Sequence, residues 1–447
     1  MNEMTSPEWE TRVDSLPEEM LCMIFDHLDL WSVKQVTLTC RRWHDIVFLS
    51  GYINRFKFQI DFPWASNAKA GEAKHPEFLE ELIGAVNHTQ RSYRNMHFIV
   101  RAYTDDAFPA IWKALHPKMT ENVTSLIVVM DKAGKSTFAA VSESISLIPK
   151  LRSLSLHYCS RINYFTTLRH SSVQHLEIDQ RRKFAFDMPE LKSFVGPLDI
   201  LQQAWSNRQH RLLTKLKHVT LTYDCASKLS VFDRLAALET LQIKTNLDEK
   251  LIIAIGDACT SLKELCLHCG MCISDPTIFL RLSNLVNLRV LKFSDIMKRS
   301  HLRFDIDLSK LTQLEVLCLG STVVWEPTSL ILLPESIRNL SIPVTVETEG
   351  NLIQIIVASL TQLQKLHLCY SDYMDRRVAK STIKSLPHLK RLEELSFVNA
   401  EFSQSDFLNM EAPMPQLRTL RFKSCSSNRL LGLEELFPNL KDVKRCW

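Results

Sequence analysis

The chain has 447 residues, of which 45% are hydrophobic and 23% are charged, so it can bury a sizeable core and has the charge content of an ordinary globular protein. Its net charge of +4 is small for this length and argues against a nucleic-acid binder driven by bulk charge. Apolar runs such as residues 330–333 are too short to cross a bilayer, so we expect no transmembrane segment and no membrane partner.

The start of the chain is polar and acidic and lacks the basic-then-apolar order of a secretory signal. Residues 1–12 are expected to be disordered. For a chain outside the secretory route, the 12 cysteines are best interpreted as reduced thiols, several of them acting as small apolar core residues. We therefore expect a cytoplasmic or nuclear location, or both.

Residues 14–50 predict three short helices. Ser15 and Glu18 have the spacing of a capping box, with Pro17 in the first turn. Apolar side chains then recur at a spacing of four on one stripe, namely Leu16, Met20, Ile24 and Leu28. A unit of about 40 residues can scarcely bury enough surface to be stable alone. The surplus stripe is expected to be covered, either by the rest of the chain or by a partner.

The same stretch resembles an F-box. The resemblance lies in Leu16-Pro17, Ile24-Phe25, Leu28 and the closing Cys40-Arg41-Arg42-Trp43, while Thr39 stands where the family usually carries valine. It implies docking on the adaptor subunit of a cullin–RING ubiquitin ligase. The residues then expected to contact the adaptor are Leu16, Pro17, Glu19, Met20, Ile24 and Leu28. Phe25, Cys40 and Trp43 are expected to hold the three helices together.

Residues 51–92 are interpreted as a connector and N-terminal cap, with a strand near 56–60 and a helix near 77–86. Degenerate repeats are expected at 93–98 and 123–128, with a helix at 107–115 between them.

A phrase of the form L-x-x-L-x-L then returns along the chain. Nine copies in register begin at Leu216, Leu238, Leu262, Leu288, Leu314, Ile337, Leu363, Leu392 and Leu417. The steps range from 22 residues (216 to 238) to 29 residues (363 to 392), which is the period of a leucine-rich repeat. Earlier copies lie at 151–156 and 173–178, and stretches such as 248–260 and 351–360 have helical spacing.

The predicted fold class is α/β: a leucine-rich-repeat solenoid with a curved parallel sheet inside and helices outside, preceded by a small three-helix F-box. The predicted domains are a disordered N-terminus (1–12), the F-box (13–50), the connector and cap (51–92) and the solenoid (93–447).

The repeat leucines must point inward, so the residues between them face the expected concave side. We predict a substrate-binding surface there, formed by His175, Glu177, His218, Gln242, Lys244, Glu264, His268, Lys292, Lys365, His367, Arg421 and Lys423. Its basic bias suggests an acidic or phosphorylated ligand. The alternative is a merely solvated sheet face, since these positions must be polar in any case.

Two motifs that suggest other chemistry are better explained by the repeats. Cys266, His268, Cys269 and Cys272 resemble a zinc site, but Leu265 and Leu267 between them belong to a repeat strand, and no second matching cluster follows. Residues 134–137 (Gly-Lys-Ser-Thr) resemble the end of a phosphate-binding loop, but the required upstream glycine would fall at Val129. No histidine lies in a nucleophile signature, so we expect no catalytic residue, metal or cofactor.

The predicted function is the substrate-recognition subunit of an SCF-type E3 ubiquitin ligase. Its expected partners are the adaptor and, through it, the cullin and RING subunits, together with an unknown target protein and no nucleic acid. The alternative is a leucine-rich-repeat scaffold or inhibitor outside any ligase, which would differ in what the first 50 residues do.

Overall fold

The computed structural model describes residues 13–61, 75–89, 91–101, 107–131, 135–158, 166–179, 184–206, 212–222, 229–244, 249–269, 276–295, 302–304, 307–320, 323–325, 332–344, 350–370, 377–427 and 432–446. The chain divides into two compact units, one ending at Gln174 and one beginning at His175. Residues 1–12, with the predicted disordered N-terminus, lie outside the described residues.

The first unit opens with the three predicted helices: α1 (Glu18–Phe25), α2 (Leu30–Val36) and α3 (Arg41–Phe48). A 3₁₀ turn precedes α1 (Val13–Ser15), and another follows α3 (Gly51–Arg55). The predicted capping box does not form: Ser15 ends the first 3₁₀ turn, so Pro17 occupies the N-cap of α1, which has no side-chain cap. In α2, the side chain of Asp29 accepts the N–H of Ser32 at 2.7 Å and caps the helix.

These helices enclose a core of their own. Leu21, Phe25, Val33, Ile46, Val47 and Tyr52 are all buried in it. The ring of Phe25 meets the rings of Trp43 and Tyr52 edge-on, at centroid distances of 5.6 and 5.9 Å. Trp43 is half-buried against this cluster, as is Leu16.

The rest of the first unit is a parallel sheet with helices. Its strands are β1 (Lys57–Asp61), β2 (Asn95–Arg101), β3 (Ser125–Asp131), β4 (Ser153–Tyr158) and β5 (Thr166–Arg169). Its helices are α4 (His75–His88), α5 (Ala107–Leu115) and α6 (Lys135–Ser146). Strands β1 to β4 pair in sequence order, all parallel. The strand predicted near 56–60 and the helices predicted at 77–86 and 107–115 are present.

The second unit contains most of the repeats. Its strands are β6 (His175–Ile178), β7 (Phe184–Asp187), β8 (Ser193–Gly196), β9 (His218–Leu221), β10 (Thr240–Ile243), β11 (Glu264–Cys269), β12 (Val290–Asp295), β13 (Leu302–Phe304), β14 (Val316–Cys318), β15 (Val323–Trp325), β16 (Asn339–Val344), β17 (Lys365–Tyr370), β18 (Glu394–Val398), β19 (Glu401–Phe402), β20 (Thr419–Lys423), β21 (Ser426–Ser427) and β22 (Asp442–Cys446). The main sheet runs β6-β8-β9-β10-β11-β12-β14-β16-β17-β18-β20-β22, and its described pairings are parallel.

Helical segments connect these strands. The α-helices are α7 (Leu198–Ser206), α8 (Glu249–Ala258), α9 (Leu352–Ser359), α10 (Lys380–Ser385) and α11 (Leu433–Leu436). Shorter 3₁₀ segments lie at Leu212–Lys215, Leu229–Arg234, Pro276–Asn284, Leu386–His388 and Asp406–Asn409. The prediction of one α-helix per repeat is therefore correct only in part. The shortest repeats leave too few residues for an α-helix, and a 3₁₀ segment takes its place.

Leucines fill the core of the second unit in register. From strand to strand, Leu241, Leu265, Leu291, Leu317, Leu340, Leu366, Leu395 and Leu420 are direct partners. All eight are fully buried. Each buried leucine stabilises the fold by about 1.5–3 kcal/mol. This ladder confirms the α/β class and the leucine-rich-repeat architecture.

The residue after the first leucine of each repeat forms a second ladder, which we call the pre-strand row. It consists of Lys217, Glu239, Lys263, Arg289, Glu315, Arg338, Gln364, Glu393, Arg418 and Lys441. Each backbone N–H in this row donates to the carbonyl of the preceding member, as from Arg418 to Glu393 at 2.8 Å and from Lys441 to Arg418 at 2.9 Å. The side chains of the row are thereby held side by side at the spacing of neighbouring strands, about 4.8 Å.

Candidate functional site: an exposed apolar set and a polar sheet face

The three-helix region leaves seven large apolar side chains in solvent. They are Met20 (46% exposed), Met23 (60%), Ile24 (43%), Leu28 (37%), Leu30 (56%), Trp31 (69%) and Leu38 (78%), and we call them the exposed apolar set. Helical spacing places Met20, Met23 and Ile24 on one side of α1. An apolar surface of this density on so small a domain marks an interaction site.

The set is not exposed for want of a core. Leu21 and Phe25 on α1 are buried at 0% and 1% exposure and point away from the set. Cys40, half-buried, is the N-cap of α3. Arg42 donates to the carbonyl of Leu16 at 2.6 Å and ties α3 to the start of α1. Two kinds of apolar residue therefore share these helices, one filling the core and one left outside it.

The six predicted adaptor-contact residues fall into two groups. Met20, Ile24 and Leu28 belong to the exposed apolar set, and Pro17 and Glu19 are exposed beside them on the chain. Leu16 is half-buried against the core. The sequence reasoning missed Met23, Leu30, Trp31 and Leu38, although Met23 follows Met20 at a spacing of three and could have been found by that signal.

A second candidate surface is the polar face of the sheet in the second unit. Across β9 to β12 it holds a cavity of about 260 Å³, lined by Thr220, Gln242, Glu264, Cys266, His268 and Lys292 among others. The predicted substrate residues His218, Gln242, Glu264, His268 and Lys292 converge on this cavity. The register explains the convergence, because Thr220, Gln242, Cys266 and Lys292 are direct partners on adjacent strands.

A hydrogen-bonded chain crosses this cavity. Thr220 donates to the amide oxygen of Gln242 at 3.4 Å, and the amide nitrogen of Gln242 lies 2.9 Å from Nε2 of His268. An amide nitrogen can only donate, so Nε2 of His268 accepts and the ring is neutral there. Burial, and after it the charge of Lys244, lowers the pKa of His268, which is consistent with this assignment.

Acidic and thiol groups occupy the next strand. The thiol of Cys266 lies 3.6 Å from the carboxylate of Glu264, and Lys292 lies 3.7 Å from the same carboxylate. Burial, with Glu264 next, raises the pKa of Cys266 to about 11. Such a thiol is protonated at neutral pH and is a poor nucleophile.

A second polar cluster lies across β17, β18 and β20. Glu394, only 9% exposed, accepts Lys365 at 3.4 Å and Arg421 at 3.1 Å. Burial lowers the pKa of the neighbouring His367, and the carboxylate of Glu394 opposes that shift. Lys292, Lys365 and Arg421 are thus paired within the sheet, whereas Lys244 and Lys423 are exposed.

The remaining predicted residues lie at the start of this unit. His175 and Glu177 are on β6, and Ser193 on β8 lies in register between His175 and His218. Burial, then Lys192 and His218, lowers the pKa of His175. The structure therefore distributes the twelve predicted residues over one face, with a cavity near one group and an ion-paired cluster at another.

Neither tempting motif gains a site from the described residues. No group of three or more His, Cys, Asp or Glu side chains there could hold a metal ion. Cys272 and Gly134 lie outside the described residues, and nothing is described of the side chain of Cys269. Among the helices that the structure describes, none is long and apolar enough to cross a membrane.

Comparison with known families concerns the three-helix region. The model of the family described as F-box-like matches residues 13–53. The chain combines an F-box-like domain with leucine-rich repeats. The F-box-like domain holds the exposed apolar set together with the core that supports it. A search of curated proteins found no match.

Solved leucine-rich-repeat structures resemble the chain at low identity. An internalin from Listeria monocytogenes is 15% identical over 82% of this chain and 94% of its own, with a TM-score of 0.39. A chain of the Drosophila Toll–Spatzle complex is 12% identical over 87% of this chain and 47% of its own (TM-score 0.45). CroV588, a circular leucine-rich-repeat protein, is 13% identical over 79% and 50% (TM-score 0.40). The chain spans about half the length of the last two. The fold assignment rests on the strand register described above.

Proposed function

We propose that the protein is the substrate-recognition subunit of an SCF-type E3 ubiquitin ligase. In this proposal the F-box-like domain docks on the adaptor, the repeats bind the target protein, and the chemistry belongs to other subunits. The observation that carries it is the exposed apolar set on a domain that already has a filled core. The F-box-like family match at residues 13–53 supports the choice of an adaptor as the partner of that set.

The size of the set suits a stable interface. Fully burying a large apolar side chain contributes about 1.5–3 kcal/mol, and a standard interface covers about 800 Å² on each partner. Trp31, at 69% exposure, is the side-chain type most often found at energetic hot spots. We therefore keep the six predicted adaptor contacts in the proposal and add Met23, Leu30, Trp31 and Leu38.

The target would bind the polar face of the repeats, held near the charged conjugating enzyme at a raised effective concentration. The division into F-box (13–50), connector and cap (51–92) and repeats (93–447) and a cytoplasmic or nuclear location belong to this proposal. The chain contributes no catalytic residue in it. The runner-up remains a repeat scaffold or inhibitor that never meets a ligase.

The test is a pull-down from cell lysate with the tagged full chain, read by immunoblot for the adaptor and the cullin. The test variant is Met20→Ser/Ile24→Ser/Leu28→Ser, whose three side chains are exposed and outside the core. The control variant is Leu147→Ser/Leu280→Ser/Val286→Ser, which removes equally exposed side chains (54%, 46% and 50%) outside the F-box-like domain.

The proposal expects adaptor and cullin with the parent and the control, and neither with the test variant. Circular dichroism should show equal helix and sheet content in all three. Absence of adaptor from the parent, or equal retention by the test variant, would contradict the proposal and leave the scaffold as the better description.

A further inference from the structure

A basic groove lies at the strand-entry edge of the last repeats, away from both surfaces described so far. It has a volume of about 710 Å³, in the range of pockets that enclose most of a small ligand (roughly 300–1,000 Å³). Four cationic side chains line it: Lys390, Arg391, Arg418 and Lys441. One carboxylate, Glu393, lies among them. These side chains are exposed, so the groove is open to a partner.

The positive charge of the groove is not neutralised from within. Elsewhere in the pre-strand row, Glu239 pairs with Lys217 at 2.6 Å and with Lys263 at 2.9 Å, so two cations share one carboxylate. In the groove, by contrast, no carboxylate of the described residues lies within ion-pair distance of the four cations. Four positive charges against one negative charge leave a local excess of three, which a partly enclosed groove concentrates.

The groove walls are fixed before any ligand arrives. The amide of Gln416 donates to the carbonyl of Leu389 at 3.0 Å, and the amide of Asn439 donates to the carbonyl of Pro415 at 2.8 Å. Arg391 is hydrogen-bonded to the side chain of Gln362. The pre-strand backbone bonds hold Arg418 and Lys441 on adjacent strands. A ligand therefore meets a preformed array of cations, which reduces the entropy lost on binding.

We propose that this groove is a docking site for an acidic segment of a partner protein, with Lys390, Arg391, Arg418 and Lys441 pairing with its carboxylates. Carboxylates are the groups that guanidinium and ammonium donors bind with charge-assisted hydrogen bonds. The lining that the structure describes contains no aromatic ring on which a nucleic-acid base could stack. It offers amide, proline and leucine surface instead, which suits a polypeptide.

The test measures fluorescence anisotropy of a labelled ten-residue peptide of alternating Glu and Ser, with the full chain at low ionic strength. The matched peptide carries Gln in place of every Glu. The groove variant is Lys390→Gln/Arg391→Gln/Arg418→Gln/Lys441→Gln. The control is Lys215→Gln/Lys217→Gln/Lys263→Gln/Arg289→Gln, which removes the same charge from earlier repeats.

The parent is expected to bind the Glu peptide at least about tenfold more tightly than the Gln peptide. The groove variant should lose that preference, and the control should retain it to within about twofold. Glu393→Gln should bind the Glu peptide a few-fold more tightly than the parent, a gain that misfolding cannot produce. Binding should weaken as salt is raised, because the paired charges are at the surface.

Equal losses in the groove variant and the control would mean that bulk charge alone attracts the peptide, which would overturn the proposal. Equal binding of the two peptides would do the same. Tighter binding of an oligouridine probe, lost only in the groove variant, would assign the groove to nucleic acid instead. The groove proposal goes beyond the ligase-receptor proposal: the peptide assay involves no adaptor, so either can fail while the other stands.

Discussion

Glu239 shows how a single exposed carboxyl can be perturbed by the repeat register. Hydrogen bonds from Lys217 and then Lys263, at 2.6 and 2.9 Å, lower its pKa from 4.5 to about 2. These three residues are one strand apart in the pre-strand row. The pairing arises only because backbone bonds hold repeats 22–24 positions apart in the sequence side by side.

This pairing predicts a pH dependence of stability. A carboxyl whose pKa is lower in the folded state contributes stability that is complete above its unfolded pKa, near 4.5, and is lost as pH falls towards 2. Glu239→Gln should therefore lower the urea midpoint of unfolding at pH 7, and its deficit should shrink progressively between pH 4.5 and pH 3. The control is Glu335→Gln, because Glu335 is exposed and has no described cation within ion-pair distance. A Glu239→Gln deficit of the same size at both pH values would contradict the assignment.

At this scale the sequence predicted which residues face outward but not what they pair with. The polar positions between repeat leucines are in the polar face as expected. The ion pairs of Glu394 with Lys365 and Arg421 are different, because they join strands 25–29 residues apart. They depend on register and rotamer, which no single repeat encodes. The same holds for Trp31, whose exposure follows from tertiary packing and not from a periodicity.

At the scale of elements, one glycine records how closely two neighbouring repeats pack. Gly256 is buried in α8, where a Cβ would lie 2.6 Å from the carbonyl oxygen of Arg281 in the following 3₁₀ segment. Gly84, in α4, has nothing within 4 Å of the same position. The two glycines share a helical backbone and differ in the space beside it.

Alanine substitutions should therefore have opposite effects at these sites. Gly84→Ala should stabilise by about 0.4–1 kcal/mol, because alanine restricts the unfolded chain and favours the helix. Gly256→Ala forces α8 away from backbone atoms and should destabilise by about 1–3 kcal/mol. Urea unfolding of both variants measures this. A stabilising Gly256→Ala would show that the two segments are not in close contact.

Strands were the more predictable elements, because each carries its own L-x-x-L-x-L phrase and needs no information from elsewhere in the chain. Connections were less predictable. The helices at 249–258 and 352–359 matched their apolar spacing, whereas the segment at 276–284 became a 3₁₀ helix that begins at a proline. The length left between strands decided the outcome, and local periodicity carries little information about that length.

At the scale of the whole molecule, the second unit is a series of near-identical layers, each in contact mainly with its neighbours. Stability in such an array is approximately a sum of layer and nearest-neighbour terms. A defect in one layer should therefore be felt most strongly in the adjacent ones.

Leu291→Ala, in β12, tests this. Leu291 is fully buried between Leu265 and Leu317, so the variant should lose about 2–5 kcal/mol of stability. Hydrogen exchange should accelerate in β11 and β14 more than in β20. Val286→Ala, in the same repeat but 50% exposed, should change stability by less than about 0.5 kcal/mol. Uniform acceleration along the unit would show that it unfolds as one cooperative block.

Strand β18 differs from its neighbours in a way that affects how such a protein can diversify. In β17 and β20, buried leucines alternate with outward residues that touch solvent, so the outward residues can be exchanged without repacking the interior. In β18, the outward residues Glu394 and Ser396 are themselves buried, at 9% and 5% exposure. New binding preferences can therefore be acquired by drift on the flanking strands, whereas each substitution at 394 or 396 must also preserve the fold.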